Sequence, residues 1–205
     1  MKNYLCLDGK KIELTDKQLK EIKDSFVKKR RLGDVPVGGI VGIGSCEWSY
    51  EFIVLDHNDG ETRLLMKELY KEDVKFGPDN NYKNSDVKKI CDEFAKELGD
   101  LVGSDNIISH KVDLTALDGL RTYDACYAKC SLMTFDMARS YVDILDRYKL
   151  DQYWWLCTPW STPEHGYSST VCIVSPSGYI DYRHFNCGNF GVRPFFILKS
   201  DIFVS

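Results

Sequence analysis

Two aromatic-rich apolar runs in the last third of the chain constrain its fold more than any other feature: Tyr153-Trp154-Trp155-Leu156-Cys157-Thr158-Pro159-Trp160 and Gly191-Val192-Arg193-Pro194-Phe195-Phe196-Ile197-Leu198. If the first run is a strand, Trp154 and Trp155 point to opposite faces, so one fills a core while the other is covered by a loop or lies at the rim. Arg193 is held extended by the proline after it, and its guanidinium can tie down loop carbonyls or a carboxylate. Trp154, Trp155, Pro159, Gly191, Arg193 and Pro194 therefore read as a folding motif rather than a ligand site.

With 205 residues, 43% of them apolar, the chain can build one sizeable core, or a core with a small appendage. A net charge of -4 and a pI near 5.6 argue against a nucleic-acid binder, which needs a basic field to displace counterions from phosphate. The longest basic run, Lys28-Lys29-Arg30-Arg31, is expected at the C-terminal end of a helix, where cations complement the dipole. No run approaches the roughly 18 apolar residues of a membrane span. Met1-Lys2-Asn3-Tyr4 lacks the apolar core of a signal peptide, so no membrane partner is expected and the host cytoplasm is the expected location. The eight cysteines are scattered and several sit in apolar runs, which favours free buried thiols over a disulfide framework. Cys126-x-x-x-Cys130 has neither the spacing nor the second ligand pair of a zinc site. No cofactor is indicated.

The chain divides at Leu32-Gly33-Asp34-Val35-Pro36-Val37-Gly38-Gly39, a Gly- and Pro-rich stretch that breaks helical periodicity. Residues 1–34 are expected to form a hairpin about Asp8-Gly9 and a helix opened by a Thr15/Gln18 capping box, with Leu19, Ile22 and Phe26 on one stripe. Residues 35–205 form the main domain. There, Glu51-Phe52-Ile53-Val54-Leu55 and Thr62-Arg63-Leu64-Leu65-Met66 flank an acidic turn that is too short for a calcium loop and has Lys67 where the bidentate glutamate belongs. A helix capped by Asn84 or Ser85 carries Val87, Ile90, Cys91, Phe94 and Leu98, with Gly99 beyond its end, and another runs from Thr134 to about Tyr148. Short strands are expected near 106–109 and 127–130, and a strand, turn and strand over 169–174, 175–178 and 179–183.

Helix 84–98 after a Tyr-rich loop, the Tyr-Trp-Trp-Leu-x-x-Pro run at 153–159, the hairpin around Gly178 and Gly191-Val192-Arg193-Pro194 occur in an order that resembles domain of unknown function 6273, a family of bacteria and phages. The family pattern has tryptophan-leucine-arginine-serine-proline and closes on valine-arginine-proline-alanine. Here the corresponding stretches are Trp155-Leu156-Cys157-Thr158-Pro159 and Val192-Arg193-Pro194-Phe195, so the arginine and serine are replaced. The resemblance spans roughly residues 36 to 198. It implies an α+β fold: a C-type-lectin-like domain with mixed and antiparallel sheets and two helices, preceded by the hairpin–helix appendage. Such scaffolds display variable ligand-binding loops, although fold analogy alone does not establish function.

Between the two aromatic runs, Trp160, Glu164, His165 and Tyr167 in one loop and Tyr179, Asp181, Tyr182, His184, Phe185, Asn186 and Asn189 in the next hairpin supply the contact area and adaptable hydrogen bonds that recognition uses. These are the candidate partner-binding residues. Phosphate loops, nucleophile elbows and metal-spaced histidine pairs are absent, leaving Cys187 near His184, or Cys157, as the thiols of an alternative cysteine enzyme. The expectation is a non-enzymatic phage or mobile-element binding module with a protein or other macromolecular ligand, either a virion component or an intracellular anti-defence inhibitor. The N-terminal helix, with its single apolar stripe, is a candidate homo-oligomer contact.

Overall fold

The Thr15/Gln18 pair forms the reciprocal cap that its spacing predicts. In a computed structural model that describes residues 3–7, 10–26, 29–44 and 48–205, the Gln18 N–H donates to Thr15 Oγ1 at 3.3 Å and the Thr15 N–H to Gln18 Oε1 at 3.0 Å. The cap opens helix α1, Asp16–Phe26, behind the antiparallel hairpin of β1, Asn3–Leu7, and β2, Lys10–Leu14. The Asp8-Gly9 turn lies outside the described residues. Arg30–Arg31, expected at the end of the helix, instead form a short strand, β3, because they pair with Phe203–Val204 near the C-terminus. Leu32 and Gly33 continue that seam by donating to the carbonyls of Ile202 and Ser200, at 2.9 and 2.8 Å.

The chain then runs through β4 (Ile40–Gly44), β5 (Ser49–Asn58), β6 (Glu61–Met66), β7 (Lys71–Val74), α2 (Asp86–Val102), β8 (Ile107–Ile108), β9 (His110–Asp113), β10 (Ala125–Ala128) and β11 (Cys130–Ser131). It closes with α3 (Phe135–Ser140), α4 (Val142–Arg147), β12 (Trp154–Pro159), β13 (Thr170–Val174), β14 (Ile180–His184), β15 (Phe190–Val192), β16 (Phe195–Lys199) and β17 (Phe203–Val204). One sheet has the order β11-β16-β6-β5-β4, with β8 also paired to β16; a second has the order β14-β13-β12-β15-β7. Nearly all pairings are antiparallel, but β12 and β15 run parallel, with Trp154 opposite Gly191. The architecture is α+β.

The period of two splits each sheet between two cores. Phe52, Val54, Leu64, Phe196, Trp155, Val171 and Ile173 pack with Val87, Cys91, Phe94 and Leu98 of α2 on one side. Ile53, Leu55, Leu65, Phe195, Trp154, Cys172 and Val174 pack with Met133, Ala138 and Leu145 of the α3–α4 segment on the other. A strand covered on both faces needs an apolar residue at every position, which is why Trp154–Pro159 and Gly191–Leu198 are continuous runs. This corrects the expectation that one tryptophan lies at a rim or under a loop: Trp154 is 1% and Trp155 0% exposed, one in each core.

Two helix boundaries also differ. Ser85 caps α2 by accepting the Lys88 N–H, but the helix continues past Gly99 and stops at Gly103, whose φ of 84° suits glycine. A Cβ at Gly99 would come 2.6 Å from Ser104 Oγ, so that glycine serves the close return of the chain. The helix expected from Thr134 to Tyr148 is two helices, because the backbone leaves helical geometry at Tyr141 (φ -107°, ψ 22°). Among the described residues three α-helices thus follow α1, rather than the two expected. Thr134 caps the first by accepting the Met137 N–H, and the Tyr141 hydroxyl reaches Asp56 Oδ2 at 3.4 Å.

Candidate functional site

The hairpin that carries half of the candidate residues is built by a turn. Pro176 fixes one φ, Gly178 takes φ 88°, and the Gly178 N–H donates to the Ser175 carbonyl while the Ser175 N–H donates to that of Tyr179. The turn sets the register Thr170↔His184, Cys172↔Tyr182 and Val174↔Ile180. Ile180 therefore packs on the second core, and Tyr182 stands on the same face of β14. Pro159 ends β12, and Trp160 follows it, its N–H donating to Thr170 O at 3.1 Å. The indole stacks against Tyr182 with centroids 4.1 Å apart and planes 39° apart. Both rings remain substantially open to solvent, Trp160 at 38% and Tyr182 at 43%.

The loop after Trp160 is held by groups that lie far away in sequence. Asn80, fully buried, donates to the carbonyls of Ser161 (2.8 Å) and Thr170 (3.2 Å) and accepts the Tyr123 hydroxyl at 2.6 Å. Asp118 Oδ2 accepts both Ser161 Oγ and, at 2.9 Å, His165 Nδ1. Burial works to raise the Asp118 pKa, but hydrogen bonds from Ser161, the Leu120 N–H and His165 outweigh it and hold the carboxyl below the usual range. Thr122 Oγ1 donates to Glu164 Oε1 at 2.8 Å and also pairs with Thr162. Glu164 and His165 are thus loop anchors that remain exposed, while Tyr167, just past Gly166 (φ 78°), projects into solvent.

The remaining candidates divide by face. Tyr179 is exposed, and Asp181 turns to the face opposite Tyr182, with Oδ2 ion-paired to Arg183 Nη1 at 2.6 Å. The Tyr182 N–H, the cost of burial notwithstanding, and Arg183 together hold the Asp181 carboxyl below its ordinary range. His184 stacks on Phe185 at 4.4 Å, and its Nδ1 accepts the Asn186 N–H at 3.1 Å. Phe185 packs half-buried against the larger core, and its backbone joins Ser169 to Phe76. Asn186 and Asn189 are exposed. The structure therefore brings Trp160 and Tyr182 together and spreads the others around them.

The motif residues lie beneath this surface. Arg193 is 1% exposed. Its Nε donates to Met66 O and its Nη2 to Lys67 O, both at 2.8 Å, with Tyr148 O at 3.3 Å, and the guanidinium lies 5.2 Å from the Trp154 ring centre. Burial draws its pKa down to about 10, against the opposing charge of Glu68. Arg193 ties carbonyls and not a carboxylate, joining β6 to the end of α4. A Cβ at Gly191 would sit 2.2 Å from Leu69 Cδ1, so β15 approaches that side chain as only glycine can. Pro159 and Pro194 are both buried.

The six cysteines whose side chains are described are free, and Cys91, Cys130, Cys157 and Cys172 are buried. Burial pushes the Cys157 thiol well above its ordinary value, the opposite of what a nucleophile needs. Sequence reasoning missed Asn80, Asp118 and Thr122, whose neighbourhoods contain turn formers and give no sign of the distant loop they anchor. It also missed a cleft of about 540 Å³ lined by Arg63, His110, Met137, Tyr141 and Phe195. There His110 Nε2 pairs with Ser131 Oγ at 2.9 Å, while no hydrogen bond of normal geometry reaches its buried Nδ1. Burial, aided by Arg63 and opposed by the Ile108 carbonyl, lowers the His110 pKa to about 4.

Among the described residues no helix is long and apolar enough to cross a membrane. Residues 127–200 match the family model of a domain of unknown function, DUF6273, which takes in both aromatic runs and the hairpin between them. No curated protein and no solved structure matches the chain.

Proposed function

We propose, from the premise that residues 127–200 match domain of unknown function DUF6273, that the chain is a non-enzymatic binding module of phage or mobile-element origin acting in a host cytoplasm. Its ligand is a protein or other macromolecule, met at the Trp160–Tyr182 surface. One observation carries the reading: two large rings are stacked on each other and still left open, on the rim of a sheet whose interior positions are buried. Rigid aromatics on a fixed backbone give contact area at small entropic cost, as recognition surfaces require. The anchors at Asn80, Asp118 and Thr122 hold the neighbouring loop in one arrangement, so little order remains to be imposed on binding. A C-type-lectin-like scaffold is in keeping with two largely antiparallel sheets that present a loop and a hairpin at one end.

The test is affinity capture from host lysate with the intact protein beside Trp160→Ala/Tyr182→Ala, matched for melting temperature, with mass spectrometry of what is retained. A macromolecule held by the first and lost by the second supports the reading. Identical profiles refute this surface as the site.

A further inference from the structure

The second sheet ends on β14, and among the described residues no strand covers its outer side. Its bonding to β13 is fixed at both ends, where the Ser175 N–H donates to Tyr179 O at 2.9 Å and the Phe185 N–H to Ser169 O at 3.0 Å. Antiparallel partners alternate between bonded and non-bonded pairs. Counting by twos, Asp181 and Arg183 turn their main-chain groups to β13, whereas Ile180, Tyr182 and His184 turn theirs outward. An open row of this kind, beside exposed Tyr179, Tyr182 and Trp160, is a template for another strand.

Two other sheet edges are blunted in familiar ways. On β4, Gly42 exchanges main-chain bonds with Ser205, at 2.7 and 3.3 Å, so the C-terminal segment covers it. On β7, Lys71, Glu72 and Asp73 are exposed and charged, and Asp73 breaks the extended backbone with φ 54°. Strand β14 has no covering segment and no break in its extended backbone among the described residues. Instead Asp181 Oδ1 accepts the Tyr182 N–H at 2.8 Å, and Arg183 Nη1 donates to the Tyr182 carbonyl at 2.7 Å. The same Arg183 nitrogen is ion-paired to Asp181 at 2.6 Å. His184 O is taken by the Cys187 N–H at 2.9 Å. Both main-chain groups at the middle of the edge are therefore satisfied by the side chains on either side.

We infer that the Asp181–Arg183 pair is an edge guard that keeps β14 from pairing with β14 of a second copy of this chain. A second copy is the fitting occupant because the strand is five residues long and centred on Tyr182. Two such strands meeting antiparallel about a two-fold axis at Tyr182 form a self-complementary contact, and the guard sits on that axis. One consequence rests on the binding reading above: the partner is then gripped through side chains and not by strand addition. The guard itself does not depend on that reading.

The experiment uses the full chain and no partner, so its failure leaves the binding reading untouched. Asp181→Ala/Arg183→Ala is compared with wild type by sedimentation equilibrium and by amide hydrogen exchange across a concentration series. Two guards must be displaced for each self-pair and each is a surface ion pair, so removing them should tighten self-association about tenfold. The Tyr182 amide should then exchange more slowly as concentration rises in the variant, and independently of concentration in wild type. Adding Tyr182→Pro to the double variant removes the donor and should return self-association, read by sedimentation, to the wild-type level. Arg183→Ala alone, which frees only the carbonyl, gives the same readout at smaller amplitude should the double variant fold poorly. The inference is overturned if the Tyr182 amide of a folded variant shows no concentration dependence, if wild type already shows it, or if Tyr182→Pro leaves the association unchanged.

Discussion

Replacing Arg193 with methionine isolates what the buried guanidinium contributes, because the new side chain keeps the stem that packs against Trp154 and loses only the donors. Two bonds at 2.8 Å and one at 3.3 Å disappear. Hydrogen bonds from a charged donor contribute about 1.5–3 kcal/mol each, so with the long one at the low end the gross loss is about 6 kcal/mol. Roughly half is returned because a cation no longer has to be buried, the cost that draws the pKa down to about 10. The expected net loss is about 3 kcal/mol, which for a chain of this size lowers the melting temperature by about 6–12 °C. Arg193→Lys should recover less than half of it, since an ammonium cannot serve from Nε and Nη2 the carbonyls of Met66, Lys67 and Tyr148 together. Urea unfolding, with the midpoint moving at constant slope, is the assay. A loss below about 1 kcal/mol in the methionine variant would refute the claim that Arg193 holds β6 to the end of α4.

Acid should find His110. The folded protein refuses a proton that the unfolded chain takes up at the ordinary pKa of 6.5, so stability falls as pH drops from 6.5 toward about 4. The full loss is about 3 kcal/mol. His110→Gln should flatten that limb relative to wild type, and parallel pH profiles would show that His110 is not the group. Thiol labelling of the native protein, mapped by mass spectrometry, should modify the half-buried Cys126 and Cys187 well before Cys91, Cys130 and Cys157. A native Cys157 that reacts as fast as Cys187 would contradict its burial and revive the cysteine-enzyme reading.

Local chemistry in the chain determined a good deal. The Thr15/Gln18 cap and the Ser175 to Gly178 turn follow from interactions within a few residues, and each is found where the sequence puts it. What local pattern cannot carry is the number of covered faces: Trp154 and Trp155 are both buried because helices from distant segments roof both sides of the sheet. The Gly99 misreading has the same origin, since that glycine answers a contact with Ser104 and not a helix end. Among the candidate residues, type and exposure were legible for Trp160, Tyr167, Tyr179 and Tyr182, but their grouping was not. The stacking of Trp160 on Tyr182 and the pinning of the loop by Asn80 and Asp118 depend on register and on side chains brought in from far along the chain. The sequence alone determined the caps and turns that close within a few residues; only the tertiary structure decided which faces are covered and which residues meet, because those contacts form across spans over which a linear pattern carries no distance information.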